Sequence, residues 1–144
     1  MPEPSWDEIV DQKVMESLSK ATGHASKASD ILSLGGTPTD LYKPMLLCRL
    51  EVQYSLAALQ LGKPAQPRVI PPRGKIELEA GMIKVAQGIS DASRSIRAGE
   101  REEAARLLIA ADAHLAKLIM HLRSPAGRGA SGLSRRGGGK GSVE

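Results

Sequence analysis

The sequence predicts an all-α protein, most simply an up-down-up-down four-helix bundle. Three observations carry that expectation. Apolar residues recur at steps of three and four over four separate stretches, which is the period of a helix face. Capping signals or glycines bound those stretches. No alternating run is long enough to signal a strand.

The first helix is expected over about residues 5–33. "SWDE" has the Ser-x-x-Glu form of a capping box, in which Ser5 and Glu8 satisfy each other's free backbone donors. Val10, Val14, Leu18, Ala21, Ala25, Ala28 and Leu32 then fall on one face. The middle of that face is small, so a neighbouring helix can approach closely. Gly35 and Gly36 stop the helix, because glycine accepts the left-handed conformation found at helix ends.

The second helix follows "TPTD" and is expected over about 38–61, with Pro44 delaying its first regular turn. It carries two apolar stripes. Leu47, Leu50, Tyr54, Ala57 and Leu61 make one; Met45, Cys48, Val52, Leu56 and Leu59 make the other. A helix apolar on two sides is expected to be buried on two sides, inside the domain or at a subunit contact. Leu47, Leu50, Val52 and Leu56 are the candidate interface residues, for a protein partner or a second copy.

"GKPAQPRVIPPRG", residues 62–74, contains four prolines and reads as an extended connector. The third helix, expected over about 75–98, shows Leu78, Met82, Val85, Ile89, Ala92 and Ile96 on one face. Gly81 and Gly88 share a face and cost roughly 1 kcal/mol each against alanine, which close packing would offset. The fourth helix is expected over about 100–123. It opens on "EREE", whose acids suit the positive end of the helix dipole. Ala104, Leu108, Ala111, Leu115, Leu118 and Leu122 form its stripe, and Glu102 with Arg106 is an expected i,i+4 pair.

Charge is unevenly distributed. The chain carries +4 at pH 7, and residues 123–144 hold all of it: Arg123, Arg128, Arg135, Arg136 and Lys140 stand against Glu144 alone. Residues 1–122 sum to zero. Within them, residues 1–16 are net −4 and residues 63–75 are net +4. In an up-down-up-down bundle the acidic start, the connector and the tail would share one end. Seven of the last eighteen residues are glycine, so the tail has too few apolar groups to offset its ordering entropy and is expected to be disordered. Glycine-rich segments bearing arginine contact nucleic-acid backbones through charge. Arg128, Arg135, Arg136 and Lys140, with Arg68 and Arg73 on the connector, are the candidate contacts to RNA or DNA.

Several classes of chemistry find no support. A single cysteine, Cys48, allows no intramolecular disulfide and no cysteine-based metal cage. His114 and His121 are seven residues apart on one helix, about 10.5 Å along its axis, so one metal cannot bridge them alone. No metal or cofactor is expected, and no nucleophile, base and orienting group assemble into a set. There is no secretory signal core and no apolar run near the roughly 20 residues of a membrane span; a cytoplasmic location is expected. The chain lacks phenylalanine and asparagine, whose codons are AT-rich. A GC-rich prokaryotic source follows, and asparagine depletion also fits a thermophile.

Two family resemblances rest on short stretches. "HLAKL", 114–118, is similar to the His-x-x-Lys-Gly stretch of histidine phosphotransfer domains, which are four-helix bundles; Leu118 stands where that family has glycine. "SIRAGEREEAARLL", 95–108, resembles helical hairpins of the HEPN group, whose RNases carry Arg, four to six residues, then His on one helix. That resemblance implies an RNase or toxin-system component. Here seven residues separate Arg106 from His114, and Arg49 precedes Tyr54 in place of a histidine. The expected function is therefore a non-enzymatic adaptor or small subunit of a larger assembly, with weak, sequence-independent nucleic-acid contact through its tail. The alternatives are an atypical HEPN-like RNase and a homodimeric scaffold with no nucleic-acid role.

Overall fold

A computed structural model of the chain describes residue 3 and residues 5–61 and 77–123. Four helices account for almost all of these: α1 Trp6–Ser33, α2 Pro38–Leu59, α3 Leu78–Arg97 and α4 Arg101–Arg123. No strand occurs among the described residues. The protein is all-α, and the expected connector and tail lie outside the described residues.

Local chemistry sets the helix ends. Ser5 Oγ accepts from Glu8 N–H at 3.2 Å, and Glu8 reaches back to the Ser5 backbone, which completes the expected capping box. Thr37 and Asp40 form a second one, with Pro38 in the first turn of α2. Pro44 does not delay that helix as expected. It sits buried within α2, about two turns past the Thr37 cap, so the reciprocal Thr37–Asp40 bonds start the helix well before it. Gly35 and Gly99 adopt φ of 75° and 78° just past the ends of α1 and α3, where a side chain would be strained.

The four apolar stripes meet in one core. Val14, Leu18, Leu41, Met45, Met82, Ile89, Leu108 and Leu115 are each fully buried. The small ridge Ala21, Ala25 and Ala28 of α1 is buried with them. At about 25 cal/mol per Å² of apolar surface removed from water, this cluster is the main stabilising contribution.

The order of helices around the core differs from up-down-up-down. α1 packs on α2 and α3, and α4 packs on α2 and α3. Arg101, at the start of α4, donates to Asp11 near the start of α1, from Nε at 2.8 Å and Nη2 at 2.7 Å. Near the start of α3, an added Cβ at Gly81 would meet Leu118, close to the end of α4. α4 therefore runs parallel to α1, and α3 runs antiparallel to both. The path is up-down-down-up, with every packed pair antiparallel. The long interval between Leu61 and Glu77 removes the constraint that makes consecutive helices neighbours. The Arg101–Asp11 pair joins the starts of α1 and α4 at that shared end.

This changes the charge layout. The acidic start of α1 meets Arg101 and the α3–α4 turn. Arg123, where residues 124–144 attach, lies at the opposite end. The described end of α4 therefore lies away from the acidic start of α1, and the tail itself, residues 124–144, is outside the described residues.

Candidate docking face on the second helix

The two stripes of α2 have different fates. Met45, Cys48, Val52 and Leu59 are buried, and Leu56 packs against the core from its edge. Val52 is 0% exposed, so it cannot meet a partner. The other stripe faces outward: Leu50 is 52% exposed and Tyr54 53%, and Leu61, two residues past the end of α2 and not on the helix, is 60% exposed. Ala57 is exposed and Leu47 half-buried on the same face. The described residues thus bury α2 on one side only. The interface candidates divide, with Leu47 and Leu50 outside and Val52 and Leu56 inside.

Polar contacts on both flanks hold this face in place. On the α4 side, Arg49 Nε donates to Asp112 Oδ1 at 2.8 Å. On the α1 side, Ser17 Oγ donates to Glu51, whose carboxylate lies at 2.6 Å and whose carbonyl lies at 2.9 Å. Both charged flanking side chains of α2 are therefore turned inward, toward the neighbouring helices. Trp6, Leu34, Ile83 and Met120 are also exposed, but they belong to different elements and form no row. Isolated exposed hydrophobes are ordinary; a row along one helix is not.

The remaining candidates do not assemble into a reactive site. Burial, then the Glu51 charge, pushes the Cys48 thiol up to about 12, which keeps it protonated and unreactive at neutral pH. Burial lowers the His114 pKa, and Lys84 and Lys117 lower it further. Leu118, in the place of a phosphotransfer glycine, is buried beneath Gly81. Arg106 pairs with Glu103, not with Glu102 as expected, and is eight residues from His114, about 12 Å along the axis. Arg49 is engaged by Asp112. A depression at the α3–α4 turn is lined by Asp91, Arg94, Glu103 and Arg101; Arg94 pairs with Asp91, Arg101 with Asp11, and Glu103 with Arg106 outside the depression. Among the described residues no group of three or more His, Cys, Asp or Glu side chains could hold a metal, and no helix is long and apolar enough to cross a membrane. Arg68, Arg73, Arg128, Arg135, Arg136 and Lys140 lie outside the described residues.

Sequence reasoning found both α2 stripes, but not which one the core would take. The Arg49–Asp112 and Ser17–Glu51 contacts decide that, and their sequence separations of 63 and 34 residues leave no local signal. No family model matches this chain, and neither does any curated protein or solved structure.

Proposed function

We propose that this protein works by association, as a non-enzymatic adaptor or small subunit of a larger assembly. One observation carries the reading: the outward stripe of α2 leaves Leu50 and Tyr54 more than half exposed one turn apart, and Leu61, just past the helix end, is exposed as well. Leaving such a row in water is unfavourable, and covering it with a partner removes the cost. The second part of the reading is weak, sequence-independent contact to RNA or DNA through the basic tail. It is supported by the placement of the chain's whole charge surplus in residues 123–144. It is also supported by the position of Arg123, at the far end from Asp7 and Asp11.

The test of the nucleic-acid part is a salt series by fluorescence anisotropy on a labelled single strand and a duplex. The full chain is compared with a variant carrying glutamine at Arg128, Arg135, Arg136 and Lys140. Four cations cap counterion release, so log K against log salt should slope no more steeply than about −3 to −4, with no sequence preference. Equal binding by the glutamine variant would remove the tail from the contact. No binding at low salt would leave the protein-only scaffold as the better account.

A further inference from the structure

One contact fixes the register of α1 on α2. Ser17 Oγ donates to the Glu51 carboxylate and carbonyl, and the two helices are antiparallel. At about 100° per residue, Ser17 stands between the buried row of α1 and a row of Lys13, Lys20 and Lys27, all exposed. On α2, Glu51 stands between buried Cys48 and Ser55 and the outward Leu47 and Tyr54. Both outward rows therefore border one groove, with Ser17 and Glu51 as its floor. Counting from that contact sets Lys20 level with Leu47 and Lys13 level with Tyr54. One wall is cationic and the other is apolar.

The chain offers this lysine row little acid of its own. Between Glu16 and Asp30, α1 contains none. Lys13 has Glu16 at 4.0 Å, while Lys20 and Lys27 have no ion-pair partner among the described residues. Glu51 is held inward by Ser17. Residues 62–76 bring four cations and no acid, and residues 124–144 bring four cations and Glu144 alone. The segments outside the described residues therefore add to the positive charge. A second copy presenting the same groove would bring the same lysines.

We propose that this groove docks an amphipathic helix of a partner protein, apolar on one face and acidic along the edge that lies against α1. The inference rests on reading the outward face of α2 as the docking element, and it names the occupant by charge. A helix laid along α2 covers Leu50 and Tyr54 with its apolar face. The lysines repeat every seven residues, about 10.5 Å along the axis, and one edge of a helix beside them repeats in the same way. Acids at that spacing meet Lys13, Lys20 and Lys27 in turn, as charged edges do between paired helices. Each such pair is exposed and contributes modestly, so charge selects the partner and the apolar contact holds it. A phosphate strand would satisfy the lysines but leave Leu47 and Leu50 in water.

The probe is a labelled three-heptad peptide with leucine at its a and d positions and glutamate at e and g, whose like charges keep it from pairing with itself. Fluorescence anisotropy at low salt, with the full chain as titrant, should give a Kd of about 10 to 100 μM, the weak end for a small interface. A version with lysine in place of glutamate should bind at least about tenfold more weakly. Lys20→Glu combined with Lys27→Glu should lower affinity for the acidic peptide by about tenfold and raise it for the lysine peptide, a swap that loss of fold cannot produce. Leu50→Asp should abolish binding of both peptides with unchanged helical circular dichroism. Lys84→Glu, exposed on α3 across the bundle, should change nothing. Equal binding of the two peptides by the native chain overturns the acidic partner and leaves the docking face standing. Binding of neither peptide overturns the groove and the face together. Binding that survives Leu50→Asp overturns the placement on α2. The helix is also overturned, in favour of phosphate, if the acidic peptide fails while a labelled single strand or phosphatidylserine vesicles bind and the lysine double variant loses them.

Discussion

His114 shows how a single side chain couples this fold to pH. Burial between α3 and α4, with Lys84 and Lys117 close by, holds its pKa below the ordinary 6.5. As pH falls through 6.5, the unfolded chain takes up the proton before the folded one does, so the bundle loses stability. The loss levels off once the folded imidazole also titrates, and above 6.5 the contribution is fully present. Urea unfolding between about pH 7.5 and pH 5 should therefore show stability rising with pH. His114→Gln should flatten the upper part of that slope; an unchanged slope would remove His114 as its source. Cys48 illustrates the inert alternative: its thiol, pushed up to about 12, is packed as a small hydrophobe.

At the scale of elements, the two glycines of α3 separate what their spacing makes look alike. A Cβ at Gly81 would lie 2.7 Å from Leu118 Cδ2 and 3.1 Å from Cδ1. Leu118 is 4% exposed and has little room to yield. A Cβ at Gly88 would lie 3.6 Å from the Ala111 Cβ, which is ordinary contact. Gly88→Ala should thus stabilise the protein by roughly 0.5–1 kcal/mol through helix propensity. Gly81→Ala should destabilise it by about 1 kcal/mol, because overpacking exceeds the same gain. Thermal melts of the two variants should move in opposite directions; a shared direction would contradict the packing described for α3 on α4. α4 comes close at both glycines, with Leu107 O 3.9 Å from a Cβ added at Gly88, but only at Gly81 would that Cβ clash.

For the whole molecule, the decisive feature is that α1 and α4 start at the same end. Spin labels at Glu8 and Glu102, both exposed, should report a short distance. Labels at Glu8 and Met120 should report a distance longer by on the order of 15 Å, since 18 helical residues rise about 27 Å. An up-down-up-down bundle would reverse the order of the two distances. Removing Arg101 should weaken this arrangement modestly, because its ion pair with Asp11 is about one-third exposed on each side and such pairs contribute up to about 1 kcal/mol.

The sequence by itself determined four helices, most of their ends and the residues that fill the core. Those properties follow from periodicity and capping, which act over three or four residues. Ser5 with Glu8, Thr37 with Asp40, and the stripes from Val14 to Ala28 and from Met82 to Ile96 are legible for that reason. The tertiary structure alone decided which helices are neighbours and which stripe of α2 faces water. Helix order is expressed in contacts between residues far apart in the chain, such as Arg101 with Asp11 at a separation of 90, and no local pattern encodes such a meeting. The outward turn of Leu50 and Tyr54 follows from Arg49 finding Asp112 and Glu51 finding Ser17. Two apolar faces on one helix are equivalent until neighbouring helices bind its polar flanks and leave one of the faces over.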